Sequence, residues 1–210
     1  DVEGEASMEH FNLDRNTFAE FGLGAMTGID LPNESSGLKG TTIAPDLLMN
    51  LAIGQYDLYT PVELLQYINT IASSGTRYSL SLMNRVIKDE KILLEHTKKV
   101  LNHVELEDKY IKRIQEGFHS VMKNGTGYWY INPSIPAAGK TGTSESYIDN
   151  DLDGNLESFV LGNTFLMYAP YDNPKYSIVV ISPNTSNLDS NSKYRSPVNR
   201  LIARSINDFL

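Results

Sequence analysis

The sequence contains no cysteine, which removes thiolate nucleophiles, disulfides and Cys-based zinc sites together. That absence suits a reducing and an oxidising space equally and leaves the compartment open. Apolar runs of the ~20 residues that span a bilayer are missing, and the N-terminus carries no signal-peptide pattern. An anchor or export signal is therefore expected outside this chain. Positive charge is in the minority: 18 Lys+Arg against 26 Asp+Glu give a formal net charge of −8, with no cluster longer than Lys98-Lys99. A nucleic-acid-binding face needs clustered Lys and Arg, so nucleic acid is not an expected partner. His10, His96, His103 and His119 are scattered without a His-x-x-x-His pair, which favours solvated or capping roles over zinc. Internal repeats and low-complexity tracts are absent as well.

What is present is an ordinary folding chain. Its 210 residues, 40% hydrophobic and 21% charged, suit one domain or one large part of one. A chain this long buries enough surface to need neither disulfide nor metal. A short helix is expected from about Leu13 into Phe21, stopped by Gly22 and Gly24. The Gly- and Pro-rich stretch 21–32 reads as an ordered, extended connection. Thr60-Pro61-Val62-Glu63 is a capping box with proline at the first helical position, predicting a helix over 61–74. Its expected inward face is Val62, Leu65, Ile68, Ile71 and Ala72, with Gly75 as the stop. A second helix, 107–123, places Ile111, Ile114, Phe118, Val121 and Met122 on one stripe before Gly125. A last helix opens at Ser196-Pro197 and is expected to turn Val198, Leu201, Ile202, Ile206 and Phe209 inward.

Strands concentrate after residue 130. Phe159–Ala169 and Tyr176–Ile181 are β-branched and aromatic, joined across Tyr171-Asp172-Asn173-Pro174, and Ala137–Ser146 reads as a further strand. Gly139 and Gly142 weaken that strand, and glycine in such a place often marks close approach by a ligand or another backbone. Helices, an antiparallel run and a closing helix describe an α+β domain.

Ala138-Gly139-Lys140-Thr141-Gly142-Thr143 carries the chemistry. Asn124-Gly125-Thr126-Gly127 precedes it, and a strand ending Tyr168-Ala169-Pro170 follows. Upstream lie Gly54-Gln55 with Thr60-Pro61, and Thr27-Gly28-Ile29-Asp30-Leu31-Pro32. In this order the segments resemble the transpeptidase domain of class B penicillin-binding proteins, whose third signature is Lys-Thr-Gly. The resemblance implies the α+β fold of serine β-lactamases and transpeptidases, an antiparallel sheet flanked by helices, here its C-terminal portion only. The expected organisation is residues 1–210 as the C-terminal portion of one such domain.

The residues agree with that chemistry. A strand bearing Lys140 can hold a cation over a peptide or β-lactam carboxylate, a charge-assisted contact worth roughly 1.5–3 kcal/mol. Thr141 and Thr143 hydroxyls can bond the same carboxylate, and Gly142 lets a substrate backbone lie along the strand. By resemblance, the Thr143 N–H forms half an oxyanion hole, typically supplying about 2.7–4 kcal/mol in the transition state. Lys140 and Thr143 are thus the expected catalytic residues, Thr141 and Gly142 the expected substrate-binding ones, and no metal or cofactor is implied.

The family also requires Ser-x-x-Lys and Ser-x-Asn motifs before the Thr-Gly-Ile-Asp-Leu-Pro connection, and neither precedes Thr27. Literal matches elsewhere are rejected: Ser36-Gly37-Leu38-Lys39 lies in a polar loop, Ser190-Asn191-Ser192-Lys193 in an Asn/Ser/Asp-rich stretch, and Ser182-Pro183-Asn184 after a strand. A nucleophile of this kind starts a buried helix, so that its lysine is desolvated into a base. Smaller departures are Tyr56 and Met167 at positions usually glycine, and Thr164 at one usually aromatic. The expected function is peptidoglycan D,D-transpeptidation, to which this chain adds the Lys-Thr-Gly wall but not the nucleophile, so the chain alone should be inactive. The alternative is a β-lactam sensor or a non-catalytic cell-wall scaffold of the same fold. Implied partners are peptidoglycan stem peptides, β-lactams and the missing N-terminal part of the domain, at the extracytoplasmic face of a bacterial cytoplasmic membrane.

Two features stand outside this scheme. Asp149-Asn150-Asp151-Leu152-Asp153-Gly154 opens like a calcium loop, but Val160 at its twelfth position excludes an EF-hand. An acidic turn is the preferred reading, with a looser calcium site as the alternative. Trp129, with Tyr128 and Tyr130, is expected to pack in the core or wall a groove, with ligand stacking the minority reading. The charged stretch Lys88–Lys112 reads as solvated helix and loop.

Overall fold

The computed structural model describes residues 7–131, 135–149, 151–156, 158–187 and 196–209, without the side chains of Ser186, Asn187, Asn207 and Phe209. Two compact units divide the chain, Asp1–Ile111 and Lys112–Leu210.

The first unit contains helices α1 (Met8–Glu20), α2 (Pro45–Ala52) and α3 (Pro61–Ala72) and the short strands β1 (Thr76–Tyr78), β2 (Arg85–Lys88), β3 (Lys91–Glu95) and β4 (Val100–His103). α1 starts earlier than the sequence suggests, because Ser7 and His10 close a capping box in which a histidine replaces the usual Glu or Gln. In α3 both halves of the expected box form: Thr60 Oγ1 accepts from Glu63 N at 3.2 Å, and Glu63 Oε2 accepts from Thr60 N at 2.6 Å.

The inward face of α3 differs from the apolar stripe expected. Ile68 and Ile71 are buried, but so are Glu63, Gln66 and Thr70. Thr70 Oγ1 donates to Gln66 O within the helix, whereas Glu63 and Gln66 bond the Gly/Pro connection. Glu63 Oε1 accepts from Gly24 N at 2.8 Å, and Gln66 Nε2 donates to Thr27 O at 2.9 Å and Tyr78 O at 2.8 Å. Arg77 donates to Ala19 O, Met26 O and Gln66 Oε1. Gly24 N, Met26 O and Thr27 O of the connection thereby gain side-chain partners.

Where residues 88–112 were read as helix and loop, the chain forms the β2–β3 hairpin, β4 and the start of the next helix. The hairpin is solvated on both faces, which is why its pattern carries no period-2 burial signal.

The second unit is a three-stranded antiparallel sheet in the order β5–β6–β7, with β5 (Ala138–Ile148), β6 (Ser158–Ala169) and β7 (Tyr176–Asn187). α4 (Asp108–Asn124) leads into it, a 3-10 turn follows at Tyr128–Tyr130, and α5 (Val198–Phe209) closes it. Met122, Ile131, Ala137, Phe165, Met167, Ile178, Val180 and Ala203 form its core. Fully burying one such side chain is worth about 1.5–3 kcal/mol.

α5 corrects a second expectation. Leu201, Ile202 and Ile206 are exposed, Leu201 to 54%, and the buried residues are Asn199 and Ala203. Phe209 lies outside the described side chains. Trp129 is likewise 62% exposed and not a core residue, whereas Tyr130 stacks on Phe165 at 4.5 Å.

Candidate active site

The Lys-Thr-Gly segment is on β5, an edge strand of the sheet. Its register against β6 is Lys140↔Leu166, Thr141↔Phe165, Gly142↔Thr164 and Thr143↔Asn163. Pleating sends Lys140 and Gly142 to one face and Thr141 and Thr143 to the other. The start of β5 is fixed by His119, whose ring stacks on Tyr171 at 4.3 Å. Its Nδ1 lies 2.8 Å from Ala137 O; a carbonyl only accepts, so Nδ1 carries the proton. His10 caps α1, one of the two roles expected of the histidines, and His119 bonds the start of a strand.

Lys140 is exposed, and its Nζ donates to Thr141 O at 2.6 Å. Among the described residues no carboxylate lies within ion-pair distance of it. The Oγ1 of Thr141 meets the Oγ1 of Thr126 at 2.7 Å. The Asn-Gly-Thr-Gly turn after α4 therefore touches the motif strand through Thr126, a contact that nothing in the sequence pattern marks. Thr143 is exposed on the same strand.

The two glycines differ in purpose. A Cβ on Gly139 would meet Leu166 O at 2.5 Å and Met167 Cβ at 2.8 Å, so packing alone demands glycine there. A Cβ on Gly142 would lie 3.6 Å from Thr164 Cβ, ordinary contact. Among the described residues, no contact requires glycine at 142. A cavity of about 280 Å³ opens between α4 and the start of β5, lined by His119, Met122, Tyr128, Ile131 and Ala137. None of Lys140–Thr143 lines it, and the motif is presented as an open strand edge.

A family model described as the penicillin-binding protein transpeptidase domain matches residues 12–208. The chain belongs to that family. Penicillin-binding protein 2A of Bacillus subtilis strain 168 is 39% identical over 191 residues, 88% of this chain and 26% of that protein. Penicillin-binding protein 2B of Streptococcus pneumoniae strain R6, a solved structure, has a TM-score of 0.75 and 31% identity over 92% of this chain and 31% of that one. Penicillin-binding protein 3 of Mycobacterium tuberculosis in its apo form has a TM-score of 0.69 at 25% identity over 90% of this chain and 44% of that one. Penicillin-binding protein 3 has also been solved complexed with ampicillin and with aztreonam. The chain spans about a quarter of the length of the curated relatives it matches.

The fold of this penicillin-binding transpeptidase family accounts for the helices and antiparallel sheet. Of the serine segments set aside above, the two among the described residues have no helical setting. Ser36 lies in coil and not at a helix start, Ser182-Pro183-Asn184 lies within β7, and Ser190–Lys193 falls outside the described residues. Tyr56, the departure near Gly54-Gln55, packs its ring against Gly40, where a Cβ would stand 2.2 Å from Tyr56 Cζ. It also tilts against Phe11 at 5.5 Å.

The acidic loop folds as a turn. Asp149 accepts from the backbone N–H groups of Leu152, Asp153 and Gly154, and these bonds hold its carboxyl below the usual range. The carboxylates of Asp149, Asp151 and Asp153 lie within 4.8 Å of one another; Asn150 falls outside the described residues. Among the described residues, no helix is long and apolar enough to cross a membrane.

Proposed function

We propose that this chain supplies the Lys-Thr-Gly wall of the active site of a peptidoglycan D,D-transpeptidase, and that the acylating serine and its lysine come from a preceding part of the same domain. The observation that carries this reading is the edge strand β5, with an exposed Lys140 ammonium, the Thr126–Thr141 hydroxyl pair and a glycine that internal packing does not require. The ammonium and the Thr141 hydroxyl hold the terminal carboxylate of a stem peptide or β-lactam. The ligand backbone adds to the β5 edge over Gly142, and the Thr143 N–H receives the developing oxyanion. Carbonyl attack by the serine then gives the acyl-enzyme with release of the terminal D-alanine, and an amine of a neighbouring strand takes the acyl group.

Exposed Leu201, Ile202 and Ile206 on α5 support association with the remainder of the domain, since an apolar helix face of this kind is normally covered. The working position is the extracytoplasmic face of the membrane, held by an anchor outside this chain.

The test is intact mass after incubation with benzylpenicillin, on the longer protein and on the 210-residue chain side by side. The expected result is a stable adduct on a serine N-terminal to this chain and none on the short chain. An adduct on Ser36 or Ser190 would move the active site into this chain. No adduct on either protein would leave a non-catalytic scaffold.

A further inference from the structure

The sheet carries a defect directly behind the Thr143 end of the motif. β6 and β7 pair regularly from Ala169↔Tyr176 to Asn163↔Ser182, and the next pair is Leu161↔Ser186. Pro183, Asn184 and Thr185 therefore stand opposite the single residue Gly162. Pro183 has no N–H to give, and Asn184 is left-handed at φ 55°. The ladder is interrupted over these residues.

Side-chain hydrogen bonds span the interruption. Asn199, on the first turn of α5 and 1% exposed, donates through Nδ2 to Asn163 O and to Val180 O, both at 2.9 Å. Two carbonyl acceptors fix which end of the amide is nitrogen. Thr185 Oγ1, also buried, accepts from Asn163 Nδ2 at 2.6 Å and donates to Leu161 O at 2.9 Å. The network grips β6 at Leu161 and Asn163. On the other side of β6 those positions face the motif strand: Asn163 pairs with Thr143 and Leu161 with Glu145, with Gly162 against Ser144 between them. The fit is close, since a Cβ on Gly162 would meet Ser144 Oγ at 2.6 Å.

We propose that Asn199 and Thr185, acting through Asn163, are positioning residues for Thr143: by bridging the β6–β7 defect they set where the Thr143 backbone stands on the sheet edge. This rests on the transpeptidase reading above. Thr143 contributes through a backbone N–H aimed at an oxyanion that exists only in the transition state. Displacing it by a fraction of an ångström therefore lowers the chemical step and leaves ground-state binding through Lys140 and Thr141 in place. A network that served stability alone would show no such division.

The experiment is stopped-flow acylation of the longer protein by a chromogenic penicillin, separating the dissociation constant of the non-covalent complex from the acylation rate constant. Thr185→Val keeps shape and removes the hydroxyl; Thr185→Ser keeps the hydroxyl; Asn199→Ala removes the clamp. Ile178→Val, a core change in β7 outside the network, serves as the control for destabilisation. Thr185→Val and Asn199→Ala are expected to lower the acylation rate constant about tenfold or more, with the dissociation constant within about twofold and Thr185→Ser close to the unsubstituted protein. Unchanged acylation in folded Thr185→Val, or an equal loss in Ile178→Val, overturns the positioning role and leaves the functional reading intact. Failure of the unsubstituted protein to acylate overturns the functional reading, and this one with it.

Discussion

Thr126 and Thr141 face each other through their hydroxyl oxygens at 2.7 Å, linking the turn after α4 to the strand that carries Lys140. A hydroxyl held by one partner presents its remaining hydrogen or lone pair in a fixed direction. The ligand-facing side of Thr141 is thus oriented before a carboxylate arrives, which lowers the ordering cost of binding. Thr126→Val is expected to weaken the non-covalent penicillin complex by about 2- to 12-fold, one ordinary hydrogen bond, while Thr126→Ser stays near the unsubstituted value. Equal binding by all three proteins would show that the pair has no part in recognition.

Gly139 and Gly142 should respond differently to one methyl group. Gly139→Ala forces a carbon into Leu166 O and Met167, and is expected to destabilise the protein by about 1–3 kcal/mol. Gly142→Ala meets only ordinary contact, so its stability should change by no more than about 0.5 kcal/mol, yet its acylation should slow. Thermal unfolding and acylation measured on the same two variants separate the effects. A Gly142→Ala protein with unimpaired acylation would mean that no ligand backbone lies there.

In the first unit, Arg15 and Asp57 form a buried pair through two bonds of 2.7 Å. The pair also binds both backbone groups of Gly40: Arg15 donates to its carbonyl, and its N–H donates to Asp57. The hydrogen bond to Asp57 raises the Arg15 pKa further above its ordinary value. Arg15→Ala or Asp57→Ala alone should cost about 3–5 kcal/mol, because each strands a buried charge, whereas Arg15→Met with Asp57→Leu should cost much less. Denaturant unfolding reads both. A double substitution as damaging as either single one would refute the stranded-charge explanation.

Asp30, in the Thr-Gly-Ile-Asp-Leu-Pro connection, accepts from Leu82 N, Ser81 Oγ and Met83 N. These bonds, that from Leu82 first, lower its pKa to about 2. A depressed carboxyl stabilises the fold above its unfolded pKa, so this contribution is complete above about pH 4 and fades as pH falls toward 2. Carboxyl-carbon NMR should find the Asp30 midpoint near 2, and Asp30→Asn should remove that part of the acid dependence. A midpoint near 4 would mean the three bonds do not persist in solution.

Much of this was legible in the residues. The capping box at Thr60, the strands β5 and β6 and the turn at Tyr171–Pro174 follow local rules that the tertiary structure does not override, whereas β7 runs past the expected end at Ile181, through Ser182-Pro183-Asn184, to Asn187. The motif strand was readable from Lys140-Thr141-Gly142 and its order among the flanking segments, although Gly139 and Gly142 weaken its strand pattern. Asn199 and Ala203 were not readable as the inward face of α5. A polar residue buried to close a strand defect gives no apolar signal, and Leu201, Ile202 and Ile206 suggested the opposite face. Glu63 and Gln66 escaped for the same reason, since their burial serves backbone groups of a connection whose path the sequence does not state. The role of Thr126 needed the fold, which alone brings it to Thr141.

The most direct measurement is the penicillin acylation rate of the longer protein with Lys140→Met. If Lys140 holds the ligand carboxylate from the β5 edge, second-order acylation should fall by about 10- to 150-fold, the worth of one charge-assisted contact, with thermal stability unchanged because, among the described residues, the exposed ammonium bonds only the adjacent Thr141 carbonyl. Acylation at the unsubstituted rate would contradict that assignment and move the ligand-binding wall away from this strand.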